Sequence, residues 1–453
     1  MTTTPVELRI AYIGGGSRLW ARTLMADLAL CPELSGEIRL YDLDFAAAKQ
    51  NETLGSWVNA RPETRSHWRY RAVERLDDAL SGADVVFISI QPGSLDMMEH
   101  ELEVAARYGL FFPVGDTTGA PGLMRGLRSA IAFAGFAEAI AERCPQAWVI
   151  NYTNPMSVCT RTLTKVAPEL KVFGCCHEVF GTQHILAHLA QRALGLEAPP
   201  PRDEVRVNVL GINHFTWVDR ATYQGHDLLA LLRDHVRQPG VLRPYTREEV
   251  TAADNWFQDN CQVKFSLFER FGILAAAGDR HLCEFVPGFI TSEEKLFRWG
   301  IIRTPVSWRR ENQRRVARLV DDIMAGRAPF RLQVSEEEAV RQLKALVGLG
   351  DIVTNVNFRN TGQVAGLPDG AVVETNALFS RGQVQPLASG ALPPGVHAQV
   401  ARHVANQELI IEAALTRDRD LAFQAVFSDP TTNLPIDRAW ALFGEIGLPE
   451  DSW

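Results

Sequence analysis

A thiol, an imidazole and a carboxyl group occupy three consecutive positions, Cys176, His177 and Glu178, directly after a short apolar strand. A second imidazole, His214, lies in a turn further along the chain. Thiolates and imidazoles are ligands of divalent metals, and a catalytic site keeps metal positions open for substrate. We therefore predict that Cys176 and His214 bind one divalent metal. The same pattern also fits a buried free cysteine beside a core histidine, and Cys175 is an adjacent rival for the thiolate role.

A second reactive segment, Gly278-Asp279-Arg280-His281-Leu282-Cys283-Glu284-Phe285, carries several ionisable side chains close together. Apolar residues flank it on both sides and would tend to bury these charges, which is costly unless they are paired. Solvated charge runs are common on protein surfaces. The flanking sequence nevertheless favours a role for this segment in a site.

A glycine-rich turn ends the first predicted strand, and a helical pattern follows it. Such a turn lets the backbone approach a pyrophosphate, while the new helix offers its N-terminal amides to that anion. Gly14 and Gly16 fit the dinucleotide-binding fingerprint, but Leu19 stands where a third glycine or alanine is expected, so an ordinary strand-to-helix turn also fits. Asp42 ends the second strand, where an acid would bind the ribose hydroxyls and favour NAD over NADP. Asp44 competes for that role, and Asp42 could also simply begin a turn.

The elements that must position these residues alternate between strand and helix from residue 8 to about residue 195, which is the signature of a doubly wound parallel sheet. The run Ala198-Pro199-Pro200-Pro201 then interrupts the pattern, because prolines continue neither a helix nor a central strand. We predict an α/β fold with a Rossmann-type NAD-binding domain at residues 1–198 and an α+β domain for catalysis, substrate and oligomerisation at residues 199–453.

Individual elements are predicted from hydrophobic periodicity and from turn residues. The predicted strands lie at residues 8–13, 38–41, 84–90, 148–151, 170–173, 204–211 and 215–223, with further strands within 352–376. The predicted helices lie at residues 45–60, 95–108, 124–142, 227–236, 251–271 and 395–415, with a basic helical stretch at 293–325. The polar segment 115–122 is predicted as a loop, which could fold over a ligand or act as a connector.

The amino-acid composition limits the classes of protein to which this chain can belong. The chain has 453 residues, of which 46% are hydrophobic and 22% charged, an ordinary soluble composition with room for two hydrophobic cores. A formal net charge of −8 argues against nucleic acid as the main partner. Seven scattered cysteines argue against a disulfide framework and favour the cytoplasm. The short polar start at residues 1–7 predicts no secretory signal, and no apolar run is long enough to predict a membrane span.

Taken in order, the motifs of this chain resemble those of glycoside hydrolase family 4. They are Gly14-Gly15-Gly16-Ser17, Asp42, Gly115-Asp116-Thr117, Asn151-Tyr152-Thr153-Asn154-Pro155-Met156, Cys176-His177-Glu178-Val179, Gly211-Ile212-Asn213-His214 and Gly278-Asp279-Arg280-His281. The resemblance extends over residues 8–290. It implies a fold similar to lactate and malate dehydrogenases, and the hydrolysis of glycosides with NAD and a divalent metal, usually manganese, an exception to the two-carboxylate mechanism.

Within that family, the identity of the residues after the metal-binding cysteine varies with the sugar that the enzyme hydrolyses. Cys176-His177-Glu178-Val179 looks most like the α-uronidase group, so an α-galacturonide is the first predicted substrate. The Cys-His-Ser-Val pattern of α-galactosidases is close, and α-galactosidase or α-glucosidase is the alternative. The implied reaction is oxidation at sugar C3 by NAD, loss of the C2 proton, elimination of the aglycone, addition of water and return of the hydride.

The resemblance also implies individual roles. The residues expected to hold NAD are Gly14, Gly16, Ser17, Asp42 and Asn151. Cys176 and His214 are expected to bind the metal, Mn²⁺ or another divalent ion. Asn154 and Asp116 are expected to bind the sugar hydroxyls. Asp279 is expected to be the base at C2, and His177 takes the place of the leaving-group acid, with Glu178 as its alternative. From charge alone, Arg280 or Arg298 is expected to pair with a uronate carboxylate.

Two other classes of function remain open. An NAD-dependent 2-hydroxy-acid dehydrogenase would produce net NADH and need no metal, and a non-catalytic NAD-binding sensor would explain neither Cys176 nor His214. The expected partner is a small-molecule glycoside, without nucleic acid or membrane. A homodimer or homotetramer is suggested by the family and by the apolar content of the second half.

Overall fold

Six strands from the first part of the chain form the centre of the main sheet. Most of their residues are buried and apolar, as is typical of strands covered by helices on both faces. The computed structural model describes residues 4–448. The prediction that residues 1–7 carry no secretory signal therefore falls partly outside the described residues, since residues 1–3 are not among them. The strands are β1 (Val6–Ile13), β2 (Leu34–Tyr41), β3 (Trp68–Val73), β4 (Val85–Ile88), β5 (Trp148–Asn151) and β6 (Lys171–Gly174).

Helices connect these strands and cover the sheet. They are α1 (Trp20–Ala29), α2 (Phe45–Asn59), α3 (Leu76–Leu80), α4 (Leu95–Arg107), α5 (Gly119–Arg143), α6 (Met156–Val166) and α7 (Glu178–Leu194). Several carry local start signals: the side chain of Asp44 caps α2 through the amide of Ala47, and that of Ser94 caps α4 through the amide of Met97.

The strand order is β3-β2-β1-β4-β5-β6, and neighbouring strands in this run are parallel. This is the order of a dinucleotide-binding Rossmann sheet, in which ligands bind at the carboxyl ends of the strands where the order reverses. Here the reversal lies between β1 and β4. The predicted fold class, a Rossmann-type doubly wound sheet followed by an α+β region, is confirmed.

The second half of the chain adds further strands and helices. The strands are β7 (Arg206–Ile212), β8 (Phe215–Tyr223), β9 (His226–Asp227), β10 (Leu274–Ala275), β11 (Ile352–Arg359), β12 (Val364–Ala365), β13 (Val372–Ser380), β14 (Gln383–Pro386) and β15 (Gly390–Ala391). The helices are α8 (Leu228–Val236), α9 (Arg247–Ala252), α10 (Gln262–Phe271), α11 (Asp279–Phe285), α12 (Glu293–Arg298), α13 (Val306–Met324), α14 (Ala339–Leu346), α15 (Pro394–Thr416), α16 (Arg419–Ser428) and α17 (Ile436–Ile446).

Strands β11, β13 and β14 extend the main sheet as antiparallel strands, with Asn357 of β11 paired to Gly174 of β6. Strands β7, β8 and β10 form a separate small sheet, to which β9 also pairs. The proline run predicted to end the first domain lies between α7 and a short 3-10 helix, Arg202–Glu204. The division at residue 198 stays a prediction, and the main sheet takes strands from both sides of it.

Three predicted bounds are wrong. The helix predicted at residues 251–271 is broken between α9 and α10, where Asp254 and Cys261 have φ of 46° and 56°, a conformation that a helix excludes. Helix α5 begins at Gly119 rather than at residue 124, so much of the predicted loop 115–122 is its first turn. The basic stretch predicted as helical at 293–325 is divided into α12 and α13 by residues 299–305. Pro305 directly precedes the first residue of α13.

The buried apolar residues lie mainly in the main sheet and in the helices that cover it. All seven cysteines are free thiols. Within residues 4–448, no helix combines the length and the apolarity needed to cross a bilayer.

A buried polar network fastens the start of α5 to the C-terminal helices. Asp429, which is 1% exposed, accepts the amide of Gly119 at 3.1 Å and lies 2.9 Å from the hydroxyl of Thr118. The same hydroxyl lies 3.1 Å from Nδ1 of His403, whose Nε2 contacts the carbonyl of Phe285 at 2.9 Å. Because α5 begins at Gly119, three residues after Asp116, this network helps to fix the loop that carries Asp116.

Replacing Asp429 by alanine should destabilise the protein by about 3 kcal/mol, since it leaves two amides and two hydroxyls, of Gly119, Thr431 and Thr118, without their acceptor. The free energy of unfolding is to be measured by urea denaturation. Asp429→Asn keeps one acceptor oxygen and replaces the other by a donor, so it should lose less than the alanine variant, about 2 kcal/mol. A parent-like midpoint for Asp429→Ala would show that the network contributes nothing.

Candidate active site

The glycine-rich turn after β1 is shaped by close backbone contacts. Gly14 has φ of 89°, and a Cβ there would lie 2.0 Å from the carbonyl oxygen of Ser89. The amide of Gly16 donates to Oδ2 of Asp42 at 2.8 Å, and the amide of Ser17 donates to the carbonyl of Gly14 at 2.9 Å. The predicted cofactor residues of this turn therefore lie together at the carboxyl edge of the sheet. Such a cradle fits the pyrophosphate and ribose of a dinucleotide.

Two asparagines hold this edge of the sheet. Asn51, which the sequence analysis did not identify, is 0% exposed and donates to the carbonyls of Gly15 and Ser17 at 2.7 and 3.0 Å. Asn151, predicted to contact the cofactor, is also 0% exposed. Its amide accepts from the backbone of Thr153 and donates to Thr160 within the β5–α6 region. The side chain of Asn151 therefore holds the loop after β5, and its predicted contact with the cofactor stays a prediction.

The centre of the site is a cluster of Asp116, His214 and His281. Each residue offers one possible ligand atom, and these atoms lie within 4.8 Å of one another. The centroids of the two imidazole rings are 3.8 Å apart. His214 lies in the β7–β8 turn with φ of 52°, a strained conformation for a residue other than glycine, and such strain is concentrated at functional sites.

Thr117 determines which nitrogen of His214 is available. Its hydroxyl donates to Oδ1 of Asp116 at 2.7 Å and lies 3.0 Å from Nδ1 of His214. A hydroxyl has a single hydrogen, so the Nδ1–H of His214 must donate to the Thr117 oxygen. Nε2 then carries the lone pair, as a metal ligand requires.

Burial and the neighbouring His281 lower the pKa of His214 to about 3, so this imidazole is neutral near pH 7. Burial alone would raise the pKa of Asp116, but the interactions with the neighbouring His281, His214 and Arg125 outweigh it and hold that pKa well below its usual range. The cluster therefore presents an ionised carboxylate and a neutral imidazole, which are the forms that bind a metal.

The cluster fits a divalent ion on its own geometry. Nδ1 of His281 is buried and has no hydrogen-bond partner. Two imidazoles and one carboxylate form a donor set that suits divalent first-row metals and leaves positions open. An ion at this place would satisfy the orphaned nitrogen and offset the cost of burying the carboxylate.

The turn that carries His214 is fastened to the main sheet by Glu374 of β13. This buried carboxylate accepts from Nδ2 of Asn213 and from the hydroxyl of Thr216, both at 3.2 Å, and from Nδ2 of Asn355 at 2.7 Å. Burial raises the pKa of Glu374, and these side-chain donors oppose the rise. The small sheet and the main sheet are thereby joined directly behind His214.

Cys176 lies next to this cluster but is not one of its three members. Burial raises the pKa of its thiol, and the nearby Glu374 and Glu178 raise it further, while the side chain of Asn213 opposes this rise as a hydrogen-bond partner. A bound metal ion would deprotonate such a thiol. The pairing of Cys176 with His214 stays a prediction. The rival Cys175 is buried in the core and donates to Oε1 of Gln342 at 3.2 Å.

The three acid–base candidates occupy different places. Glu178 accepts the amide of Gly278 at 2.7 Å through Oε2, and its Oε1 lies 3.9 Å from Nε2 of His281. His177 lies outside the cluster, with Nδ1 3.3 Å from Oε1 of Glu337 and its ring against that of Trp20. The bond to Glu337 raises the pKa of His177 despite burial.

Asp279, the predicted base, is 1% exposed, and its two oxygens accept the amides of Val263 and Lys264 at 3.0 and 2.8 Å. These contacts hold the start of α10. Burial and the nearby Asp259 raise the pKa of Asp279 to about 8. Its role as base at C2 stays a prediction, because both oxygens are engaged in the structure and the neighbouring Glu178 is the carboxylate that faces His281.

The predicted sugar-binding residues reach the cluster. Nδ2 of Asn154 donates to Oδ2 of Asp116 at 3.3 Å, and the carbonyl of Asn154 accepts from Nε of Arg125 at 3.1 Å. Arg280 is 8% exposed and donates to the carbonyl of Pro113 and the hydroxyl of Thr304 at 3.2 and 2.6 Å. Arg298 is exposed on α12 and is not among these contacts.

Sequence reasoning gave no role to several residues of the site. His281 was visible in the Gly278–Phe285 segment, but nothing in that pattern showed that it would lie against His214. Glu284 is 0% exposed and accepts the amides of Val114 and Gly115 at 2.6 and 3.0 Å, which positions the loop before Asp116. Burial raises the pKa of Glu284 to about 8. No sequence signal identifies such a long-range backbone contact.

Comparison with known proteins gives matches along the chain. The family described as "Family 4 glycosyl hydrolase" matches residues 9–192, and its C-terminal domain matches residues 209–432. An α-galacturonidase of Thermoanaerobacterium saccharolyticum is 47% identical over 447 residues, covering 97% of this chain and 95% of that protein. Three further relatives named α-galacturonidase are 44% to 47% identical.

Solved structures agree in fold. The crystal structure of lplD from Bacillus subtilis has a TM-score of 0.91 at 46% identity, covering 98% of this chain and 100% of that one. The 6-phospho-β-glucosidase of Thermotoga maritima, solved with manganese, NAD⁺ and glucose-6-phosphate, has a TM-score of 0.75 at 20% identity and covers 97% of each chain.

Thr117→Val should weaken Mn²⁺ binding about 10-fold or more, because it removes the hydroxyl that fixes the His214 ring and its tautomer. Titration calorimetry of Mn²⁺ into the protein measures this without turnover. Thr117→Ser keeps the hydroxyl and is the matched control, with affinity near that of the parent. Equal Mn²⁺ affinity in the valine variant and the parent would exclude this role for Thr117.

Proposed function

Because this chain belongs to glycoside hydrolase family 4, we propose that it is a glycosidase that hydrolyses an α-galacturonide with NAD and a divalent metal, Mn²⁺ in the first place. The observation that carries this proposal is the Asp116–His214–His281 cluster at the carboxyl edge of a Rossmann sheet. The four relatives named α-galacturonidase support the choice of substrate.

The two cofactors explain why the site needs both the glycine-rich turn and the Asp116–His214–His281 cluster. When bound, NAD accepts a hydride from sugar C3 and returns it, and the metal acts as a Lewis acid toward the oxygens on C2 and C3. The cradle formed by Gly14, Gly16, Ser17 and Asp42 would hold the dinucleotide. The structures of relatives solved with NAD and with manganese support these cofactors.

His214 is the residue on which the metal site depends. Its Nε2 lone pair faces away from the bond to Thr117, and we assign it as a ligand together with Cys176, with Asp116 and His281 against the same space. A site with few protein ligands leaves positions for two sugar hydroxyls. Asn154 is placed to bind sugar hydroxyls, because its Oδ1 is buried without a partner and its Nδ2 bonds to Asp116.

Proton transfer belongs to the residues around the cluster. Asp279 and His177 are the proposed base and leaving-group acid by family position, and the contacts favour Glu178 as a further participant. Oε1 of Glu178 lies 3.9 Å from His281, so this carboxylate can exchange a proton with a group bound beside the imidazole. His177 packs against Trp20, lies 3.3 Å from Glu337 and has a half-exposed side chain, so it is accessible to a leaving group.

We further propose that the enzyme works in the cytoplasm as a homodimer or homotetramer on a small-molecule glycoside. The free thiols of all seven cysteines are consistent with a reducing compartment. The family supports the oligomer.

A panel of p-nitrophenyl α- and β-glycosides, including uronides and 6-phosphates, tests the function. With NAD and Mn²⁺ present, the α-galacturonide should be cleaved fastest, since the relatives that are 44% to 47% identical carry the name α-galacturonidase. Sugar release is to be followed together with NADH, which should not accumulate, because the hydride returns to the sugar. Faster cleavage of the α-galactoside would move the assignment to the alternative.

The chelation arm of this experiment separates the two enzyme classes. EDTA should abolish cleavage, and Mn²⁺ with a reductant should restore it, because oxidation of Cys176 would remove a ligand. Net NADH formation that survives full chelation would instead indicate a dehydrogenase.

A further inference from the structure

We propose that a cavity beside β11 is a second binding site and that it takes a sugar acid, a small molecule with several hydroxyls and one carboxylate. The cavity has a volume of about 510 Å³, and no residue of the Asp116–His214–His281 cluster lines it. Cavities of this size are typical of sites that enclose a small molecule. The inference goes beyond the proposed function, and only the choice of galacturonate as the probe rests on that function.

The cavity lies where one strand of the main sheet ends early. Strand β6 ends at Gly174, which pairs with Asn357 of β11. The earlier residues Val353, Thr354 and Asn355 of β11 line the cavity. The other walls come from α7, the start of β7 with the residues before it, the start of α14, and β13: Gln183, Arg202, Asp203, Val205, Arg206, Val207, Glu338, Arg341 and Asn376.

Four side chains of the lining carry acceptor oxygens that the protein does not use. Glu338 and Thr354 are 4% and 7% exposed, and Oε2 of Glu338 and Oγ1 of Thr354 have no hydrogen-bond partner. Asn355 and Asn376 donate through Nδ2 to other parts of the protein, and among residues 4–448 nothing donates to their Oδ1 atoms. Buried polar atoms are nearly always paired, so this set indicates a ligand that is rich in hydrogen-bond donors. The hydroxyls of a sugar are such donors.

The charges of the lining leave one cation without a counterion. Oε1 of Glu338 accepts from Arg202 and, at 3.3 Å, from Arg341, whose guanidinium also lies 3.6 Å from Asp203. Arg206, the first residue of β7, is exposed and forms no ion pair within the part of the chain that the structure describes. Arginine binds carboxylates through its planar fork. The unpaired Arg206 therefore favours a ligand that carries a carboxylate besides its hydroxyls.

One wall of the cavity also supports the metal cluster. Nδ2 of Asn355 donates to the carbonyl of Cys176 at 3.2 Å and to Oε1 of Glu374 at 2.7 Å. Glu374 in turn accepts hydrogen bonds from the turn that carries His214. Asn355 thus connects a ligand in the cavity to the groups that position the cluster.

The test counts the galacturonate molecules that bind to the protein. Titration calorimetry of galacturonate into the protein loaded with NAD and Mn²⁺ should give two molecules per chain, one at the metal cluster and one in the cavity. EDTA should abolish only the first event, since no cluster residue lines the cavity. Galactose lacks the carboxylate and should bind to the cavity about 10-fold more weakly, because it loses one charge-assisted contact.

Two variants assign the metal-independent event to this cavity. Arg206→Gln removes the unpaired cation, and Thr354→Val removes the unpartnered hydroxyl, so each should weaken galacturonate binding in EDTA about 10-fold. Arg220→Gln removes the same charge from an exposed position on β8 outside the lining and should bind as the parent does. Urea denaturation shows that each variant is folded. Thr354→Val should be at least as stable as the parent, because it removes a buried polar atom without a partner.

Several outcomes would overturn the inference. Absence of galacturonate binding in EDTA, or binding in EDTA that neither Arg206→Gln nor Thr354→Val weakens, would exclude this cavity as the site. Equal affinities for galactose and galacturonate in EDTA would exclude a sugar acid as its ligand. Equal losses in Arg206→Gln and Arg220→Gln would show a general charge effect. A parent that binds galacturonate in EDTA as expected but cleaves no α-galacturonide would contradict the proposed function and leave this second site standing.

Discussion

The contact of one carboxylate with two imidazoles, of which His214 is buried and Asp116 and His281 are partly buried, is the constraint around which this molecule is organised. The three residues come from distant parts of the chain, and removing such polar groups from water without a partner is unfavourable. The protein supports the arrangement with further buried polar groups. Thr117 bridges the carboxylate and one ring, and Glu284 holds the preceding backbone by its amides. These supports stabilise a site that is complete only when an ion or a substrate occupies it.

The topology explains how such distant residues meet. The parallel sheet opens a crevice at the ends of β1 and β4, where a nucleotide is bound in this class of fold. Strands β11 and β13 then continue that sheet, and Glu374 on β13 accepts hydrogen bonds from the turn that presents His214. The glycine-rich turn after β1 and the Asp116–His214–His281 cluster are therefore connected through one sheet. Such a connection would fix the distance between a dinucleotide at the turn and a sugar at the cluster, and reactivity falls steeply with that distance.

The sequence predicted the features that depend on local patterns, such as strands, helices and the glycine-rich turn. It did not predict the features that depend on tertiary contacts. The alternation of strands and helices identified the Rossmann sheet, and the glycine turn with Asp42 identified its nucleotide edge. Periodicity could not show that Asp254 and Cys261 break a helix, since positive φ values at such residues are set by the surrounding loop. The sequence placed Asn151 at the end of a strand, but it could not show that the side chain is hydrogen-bonded inside the following loop. Glu374 lies far in sequence from the turn that it holds, and no short motif indicates that proximity.

The proposed function requires that His214 binds a divalent ion within this cluster. The most direct measurement is anomalous diffraction from crystals grown with Mn²⁺ and NAD. We expect a manganese peak within bonding distance of Nε2 of His214, beside Asp116 and His281 and within reach of the thiol of Cys176. A manganese peak elsewhere in the protein, with Nε2 of His214 bonded only to protein or water, would contradict it.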